Sequence, residues 1–349
     1  MGILSGARLL LMLMLLIALV ARADIVAGLH TARVPVADQG SAALAAASRK
    51  ALAEVLVKVS GSRDLLQNPV ILAALDESRS HVQKYAYVRG ESPEEGLAAR
   101  FEFDGTYITQ LVAQSGAPLW TANRPLVLAW VVVEDAAGRH FINRDTAPAE
   151  SQQLEDEFSR RGVPVQLPLF DLVDTAAVST GDVWRLNAKA VLDASERYNV
   201  QDIVMARLNV PGTGEVKGSW SYFYQGDQID RPVTAADMGS FLQEGVEVVA
   251  GRMAARYAVA TNGGEDGAVH MSVTGVYSYA DYASIVSWLE SLELVEYANI
   301  ERLRGDRLEL RLGARADVSQ LPAIIELNSR LVPAPRTELD PQLSYQWQN

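Results

Sequence analysis

Leu126-Val127-Leu128-Ala129-Trp130-Val131-Val132-Val133 is eight apolar residues without a polar interruption. A half-exposed strand alternates apolar and polar side chains; an unbroken run of this length predicts a strand covered on both faces. Helix must then lie on each side of it, and the residues downstream supply the helices. Ala136-Ala137-Gly138 makes a turn, a helix runs from about Glu150 to Arg161 and stops at Gly162, and Val163 to Leu167 reads as a short strand. Asn187 to Tyr198 places Ala188, Val191, Leu192 and Ser195 on one helical face, and Ile203 to Val210 is the next strand. The order strand–helix–strand–helix–strand predicts a βαβ sheet with packed helices. Gly212 to Gly214 turns into the alternating segment Val216 to Tyr224, read as an antiparallel hairpin, and a helix from about Ala235 to Tyr257 closes a middle unit spanning 121–260.

Working outward, residues 24–120 form an N-terminal α+β unit. Ile25 to Val36 reads as one strand, and Ser41 to Ser60 as a helix whose Leu44, Ala51, Leu52, Val55, Leu56 and Val59 fall at helical spacing before Gly61. Asn68-Pro69 opens a second helix, Tyr85 to Val88 and Leu97 to Phe103 are strands about a polar loop (91–96), and Tyr107 to Gln114 is helical. In the other direction, Thr261 to Gly267 is the clearest linker. Residues 268–333 follow the order β-α-β-β-α-β, which is ferredoxin-like. The Pro- and Gln-rich stretch 334–349 is expected to be a flexible tail. The fold class is thus α/β and α+β, in three small mixed units.

The first residues bear on where the chain works. Arg8 precedes an apolar run from Leu9 to Ala21, too short for a membrane span of roughly 20 residues. Ala21-Arg22-Ala23 is a small-x-small cleavage site, so residues 1–23 are expected to be a signal peptide and the mature chain to begin at Asp24. With no cysteine, lipid anchoring, disulfides and thiolate metal sites are excluded. The formal net charge of −12 becomes −14 once Arg8 and Arg22 are removed. Such a chain is repelled by nucleic acid and by anionic lipid. The expectation is a periplasmic protein with envelope proteins as partners, no nucleic acid and no stable membrane insertion.

Residue constellations that carry chemistry are sparse. His30, His81, His140 and His270 have no metal-ligand neighbour at helical spacing. Glu134, Asp135, His140 and Asp145 lie close along one hairpin and could in principle gather a hard cation, but a solvated turn between two strands is the favoured reading. The chain lacks a Gly-x-Ser-x-Gly elbow, and Gly212, Gly214 and Gly218 have the wrong spacing for a phosphate loop. Glu94-Glu95 and Glu155-Asp156-Glu157 read as wet faces rather than a glycosidase pair. No catalytic, cofactor-binding or metal residue is therefore expected. Trp130 and Trp288 sit in periodic apolar runs and belong to the core. Trp184, Trp220, Tyr222 and Tyr224 fall near loops and an edge hairpin, and are the expected interaction surface.

Several phrases carry a family resemblance: Lys58-Val59-Ser60-Gly61, Tyr85-Ala86-Tyr87, Phe101-Glu102-Phe103-Asp104, Trp120 with Arg124-Pro125, Ala194-Ser195-Glu196-Arg197-Tyr198, and Leu321-Pro322. Together they resemble an exported proteobacterial family known as domain of unknown function 2066, which implies no established activity. The middle unit is similar to the amino-terminal domain of TolB-like envelope proteins, and the order of units is similar to that of flagellar H-ring assembly proteins. The likeness implies action through contacts with envelope partners. The alternatives are a carboxylate-dependent hydrolase of envelope glycans and a small-ligand sensor built on the last unit.

Overall fold

In the computed structural model, residues 24–26, 28–89, 96–260, 269–335 and 341–348 are described. The expected signal peptide, the linker 261–267 and most of the polar loop 91–96 lie outside the described residues. The chain opens with β1 (Asp24–Ile25), β2 (Thr31–Pro35), α1 (Ser41–Ser60), α2 (Pro69–Asp76), β3 (Val82–Arg89), β4 (Leu97–Phe103), α3 (Gly105–Gln114) and β5 (Pro118–Leu119). It continues with β6 (Asn123–Arg124), β7 (Val127–Asp135), β8 (Gly138–Phe141), α4 (Pro148–Arg160), β9 (Val165–Gln166), α5 (Leu172–Ala177), α6 (Thr180–Trp184) and α7 (Ala188–Ser195). Then come β10 (Asp202–Asn209), β11 (Val216–Tyr224), β12 (Asp227–Ala235), α8 (Met238–Tyr257) and β13 (Val259–Ala260). The last elements are β14 (Val269–Thr274), α9 (Tyr279–Ser291), β15 (Val295–Arg304), β16 (Arg307–Ala314), α10 (Leu321–Ile325), β17 (Leu331–Pro333) and β18 (Leu343–Trp347).

β7 is buried on both faces, as its composition requires. Val127, Ala129, Val131 and Val133 pack with Leu154 and Phe158 of α4 and with Val246, Val249 and Ala250 of α8. Leu128, Trp130 and Val132 face the other way, onto Val183 of α6 and Val191 and Ala194 of α7. The sheet order is β12-β11-β10-β7-β8, with β9 also pairing β7. β7 runs parallel to β9 and β10, the βαβ arrangement. α8 lies close against the hairpin strand β11. A Cβ on Gly245 would stand 1.9 Å from Trp220 Cε2, so only glycine lets this helix seat there. Gly245→Ala should lift α8 from the sheet and cost about 1–3 kcal/mol, as overpacked cores do. A thermal melt of the variant that matches the parent would contradict this seating.

In the first unit, α1 lies on the antiparallel sheet β2-β4-β3. The segment expected as one strand is broken by a turn. Gly28 adopts φ +76, and the Thr31 N–H and hydroxyl both donate to its carbonyl. β1 thereby leaves the first sheet and pairs with β6.

The last unit has the expected β-α-β-β-α-β order, but its sheet runs β15-β16-β14-β18-β17. The stretch expected to be a flexible tail is not loose over 343–347. β18 enters between β14 and β17, parallel to the first and antiparallel to the second, and pushes β17 to the edge. The physical reason is alternation: Leu343, Tyr345 and Trp347 turn inward and are buried, while Trp347 Nε1 donates to Asp281 Oδ1 at 3.2 Å.

The units are joined by more than chain connection. β13 pairs with β5, and the apolar cores of the first and last units merge into one cluster. At the meeting point lies Arg124, with no exposed surface. Its Nε donates to Thr121 O (2.9 Å), Nη1 to Gly162 O (2.7 Å) and Arg161 O (3.3 Å), and Nη2 to Lys58 O (2.7 Å) and Trp120 O (2.9 Å). A guanidinium has five N–H donors, and all are used on carbonyls. Three of those carbonyls, of Lys58, Arg161 and Gly162, stand where α1 and α4 end, the negative pole of a helix. The guanidinium also lies over the Trp120 ring at 3.7 Å. From the last unit comes Glu293, whose carboxyl is pushed up by burial although Arg124 and the Ala122 N–H both oppose this.

Candidate interaction surface

After β9 the chain carries three exposed apolar side chains within five residues: Leu169 (64% exposed), Leu172 (88%) and Val173 (59%). Exposed apolar clusters on a folded surface mark contact sites more often than scattered single residues do. The cause of the exposure is local and specific. Phe170 adopts φ +52, a strained conformation for a residue with a side chain. Its ring is turned inward against Trp130 (5.7 Å) and Phe141 (4.9 Å). With Phe170 anchored, its neighbours point outward.

A polar network fixes this knuckle from behind. Asp171 caps α5 by accepting from the Val173 and Asp174 N–H groups, both at 3.0 Å. Arg197 grips Asp171 with two parallel bonds of 2.8 Å and reaches buried Asp174 at 3.0 Å. Asp174 also accepts from Phe170 N (2.8 Å) and Tyr198 OH (2.5 Å), and the Tyr198 oxygen accepts from Leu169 N (2.8 Å). The forked Arg197 contact holds the Asp171 carboxyl well below the usual carboxylate range. Burial, reinforced by Asp174, pushes Tyr198 up to about 12. Arg197 and Tyr198 belong to the Ala194-Ser195-Glu196-Arg197-Tyr198 phrase, and Ser195 is used too: its hydroxyl accepts from Trp130 Nε1 at 3.0 Å. The phrase thus serves as the buttress of an exposed loop. Sequence reasoning missed Leu169, Leu172 and Val173. The available signal was an apolar stretch with neither helical nor strand period, split by Asp171 in an N-cap position.

The expected surface residues fall differently. Trp220 and Tyr222 are 2% and 1% exposed, which corrects their expected role as contact residues. Period-2 alternation puts both on the inner face of β11 beneath α8. Tyr222 OH donates to buried Asp202, which also accepts from Arg256 Nη2 at 2.8 Å. Trp184 and Tyr224 are half-buried, and cations cover them: Arg139 stands 4.3 Å over Trp184 and Arg256 4.5 Å over Tyr224.

Of the residues considered for a cation, Asp135 and His140 do meet, and Glu150 joins them with ligand atoms within 4.8 Å. The three already have partners: His140 Nε2 lies 2.9 Å from Glu150 Oε2, and Asp135 Oδ1 accepts from the turn N–H of Ala137. Glu134 instead pairs with Arg139 at 2.8 Å, and Asp145 is no part of the group. The acids of α4 are similarly engaged. Glu155 pairs with Arg144, Asp156 accepts from Gln152, and Glu157 pairs with Arg160. Among the described residues no helix is long and apolar enough to cross a membrane.

Residues 23–121 match a family described as a domain of unknown function (DUF8605). The match covers the first unit, and it is to a different family from the one the sequence phrases resemble. No curated protein matches the chain. A solved structure described as "Crystal structure of uncharacterized protein" is 14% identical, covering 38% of this chain and 90% of that one, with a TM-score of 0.17. A likeness that low carries no argument about fold or function.

Proposed function

We propose that this chain is exported to the periplasm and acts there as a non-enzymatic interaction or scaffold component of the cell envelope. The observation that supports it best is the rigid apolar knuckle at Leu169, Leu172 and Val173. A loop with this much unpaired apolar surface, braced by an Asp171–Arg197–Asp174–Tyr198 network, is preorganised to dock into a partner's apolar groove, so little ordering cost remains. The acidic charge of the body would steer basic partners toward it. The resemblance to the domain of unknown function 2066 family, and that of the middle unit to TolB-like amino-terminal domains, agree with an envelope role.

Leu172 touches little of its own chain, so Leu172→Asp should leave the fold and its melting temperature unchanged. In proximity labelling from intact envelopes, a partner captured by the parent should be lost with this variant and kept with a distant surface control such as Arg49→Gln. Recovery of no partner by the parent, in native and crosslinked forms alike, or equal recovery by both variants, defeats the proposal. Mass analysis of the native protein tests export separately, with Asp24 expected as the first residue.

A further inference from the structure

The seam between the first and middle units holds a cleft of about 380 Å³, within the range of small-ligand pockets. Its apolar floor is made by Val34, Pro35, Ala53 and Leu66. Among the described residues, Arg33, Lys50, Arg63, Arg160 and Arg161 stand around that floor, with Glu54 and Glu157. The chain as a whole carries −12, so a basic cleft runs against its composition.

The nearby carboxylates do not cancel this charge. Glu54 is shared by Lys58 (3.2 Å) and Arg160 (3.5 Å), and Arg160 also holds Glu157 (3.1 Å). Glu247, just outside, is shared by Arg63 (3.2 Å) and Arg161 (3.1 Å). Leaving Arg33 aside, five bases face three acids around the seam among the described residues. Helix dipoles account for part of the pattern, because α1 and α4 both end here and favour cations at their last turns. They do not account for Lys50 in the middle of α1. Nor do they satisfy Arg161. Its side chain is 6% exposed, its Nη2 donates to Gly61 O at 3.1 Å, and its Nη1 has no hydrogen-bond partner. A buried guanidinium with an unmet donor is costly, and Arg161 is among the residues that line the cleft. Burial pushes the Glu157 carboxyl up even beside Arg160.

We propose that this seam binds a small organic oxyanion, a carboxylate or phosphate ester on a compact apolar stem. The anionic group lies toward Arg161, with Lys50 at the mouth, and the stem rests on Val34, Pro35, Ala53 and Leu66. The site is separate from the Leu172 surface and stands or falls without it.

Titration calorimetry on the full mature chain tests the site with phenyl phosphate, benzoate, inorganic phosphate and benzyl alcohol. One of the two aromatic oxyanions should bind with one-to-one stoichiometry, and whichever is tighter identifies the headgroup. Inorganic phosphate should bind at least about tenfold more weakly and benzyl alcohol not measurably, because each lacks half of the recognition. Lys50→Glu reverses an exposed charge and Ala53→Leu fills the floor. Each should weaken binding about tenfold or more at an unchanged melting temperature. Absence of heat from both aromatic oxyanions at concentrations of ~10 mM, equal binding of benzyl alcohol, or binding untouched by both variants overturns the proposal.

Discussion

Arg124→Met should be the most damaging single substitution in the chain, lowering stability by about 3–5 kcal/mol, the range seen when one partner of a buried ionic contact is removed. The reason is the asymmetry of hydrogen-bond energetics. Methionine fills much of the space but leaves five buried carbonyls without donors, each an unmet group worth about 1–3 kcal/mol if it stays dry. Three of these belong to Lys58, Arg161 and Gly162, at the ends of α1 and α4, so two units lose their common fastening together. Glu293 would be left in the same place without its cation. Arg124→Lys should lose less, since it keeps the charge; it has three donors and no planar fork, and so cannot reach all five acceptors. Urea unfolding monitored by tryptophan fluorescence and by circular dichroism measures both effects. The parent should unfold with the two signals coincident, and Arg124→Met should separate them as the units uncouple. Coincident curves at the parental midpoint would show that Arg124 does not join the units.

Ending the chain at residue 340 should be nearly as severe. It removes Leu343, Tyr345 and Trp347, all buried, and Trp347→Ala alone should cost about 3–5 kcal/mol. Truncation also does something a point substitution cannot. It empties the position between β14 and β17, so that an interior strand, β14, acquires a free edge. Unprotected edges recruit other chains, and the truncated protein should elute as soluble aggregates in size-exclusion chromatography while Trp347→Ala remains monodisperse. Limited proteolysis gives the complementary readout, with cleavage expected within 269–335 in the truncated chain and not in the parent. A truncated chain that elutes and resists proteolysis like the parent would show β18 to be dispensable.

What the sequence conveyed correctly was what short-range pattern dictates. Eight apolar residues in a row cannot alternate, so β7 had to be covered twice, and helices on both faces with parallel neighbours followed. The spacing of Leu44, Ala51, Leu52, Val55 and Val59 allowed only a helix lying on a sheet, and Gly61 at φ +76 stopped it. The candidate surface was less legible. Aromatic residues near a hairpin attracted attention, yet Trp220 and Tyr222 are covered by α8, an element that begins after the hairpin has ended. The residues that are exposed, Leu169, Leu172 and Val173, looked like ordinary apolar residues, because the inward turn of Phe170 cannot be read from composition.

The chain's own letters thus determined its mixed class, its acidity and the form of its central strand, because each depends on composition or on residues a few positions apart. Tertiary structure alone decided that Arg124 is fully buried, that residues 343–347 are a strand rather than a tail, and that the cations of β2, α1 and α4 share one seam. In each case the deciding contact joins distant positions: Arg124 with Lys58 O, Ser344 with Ser272, Arg160 with Glu54. Local periodicity carries no record of such pairings, since the free energy that selects them is gained only when separate elements exclude water from one another.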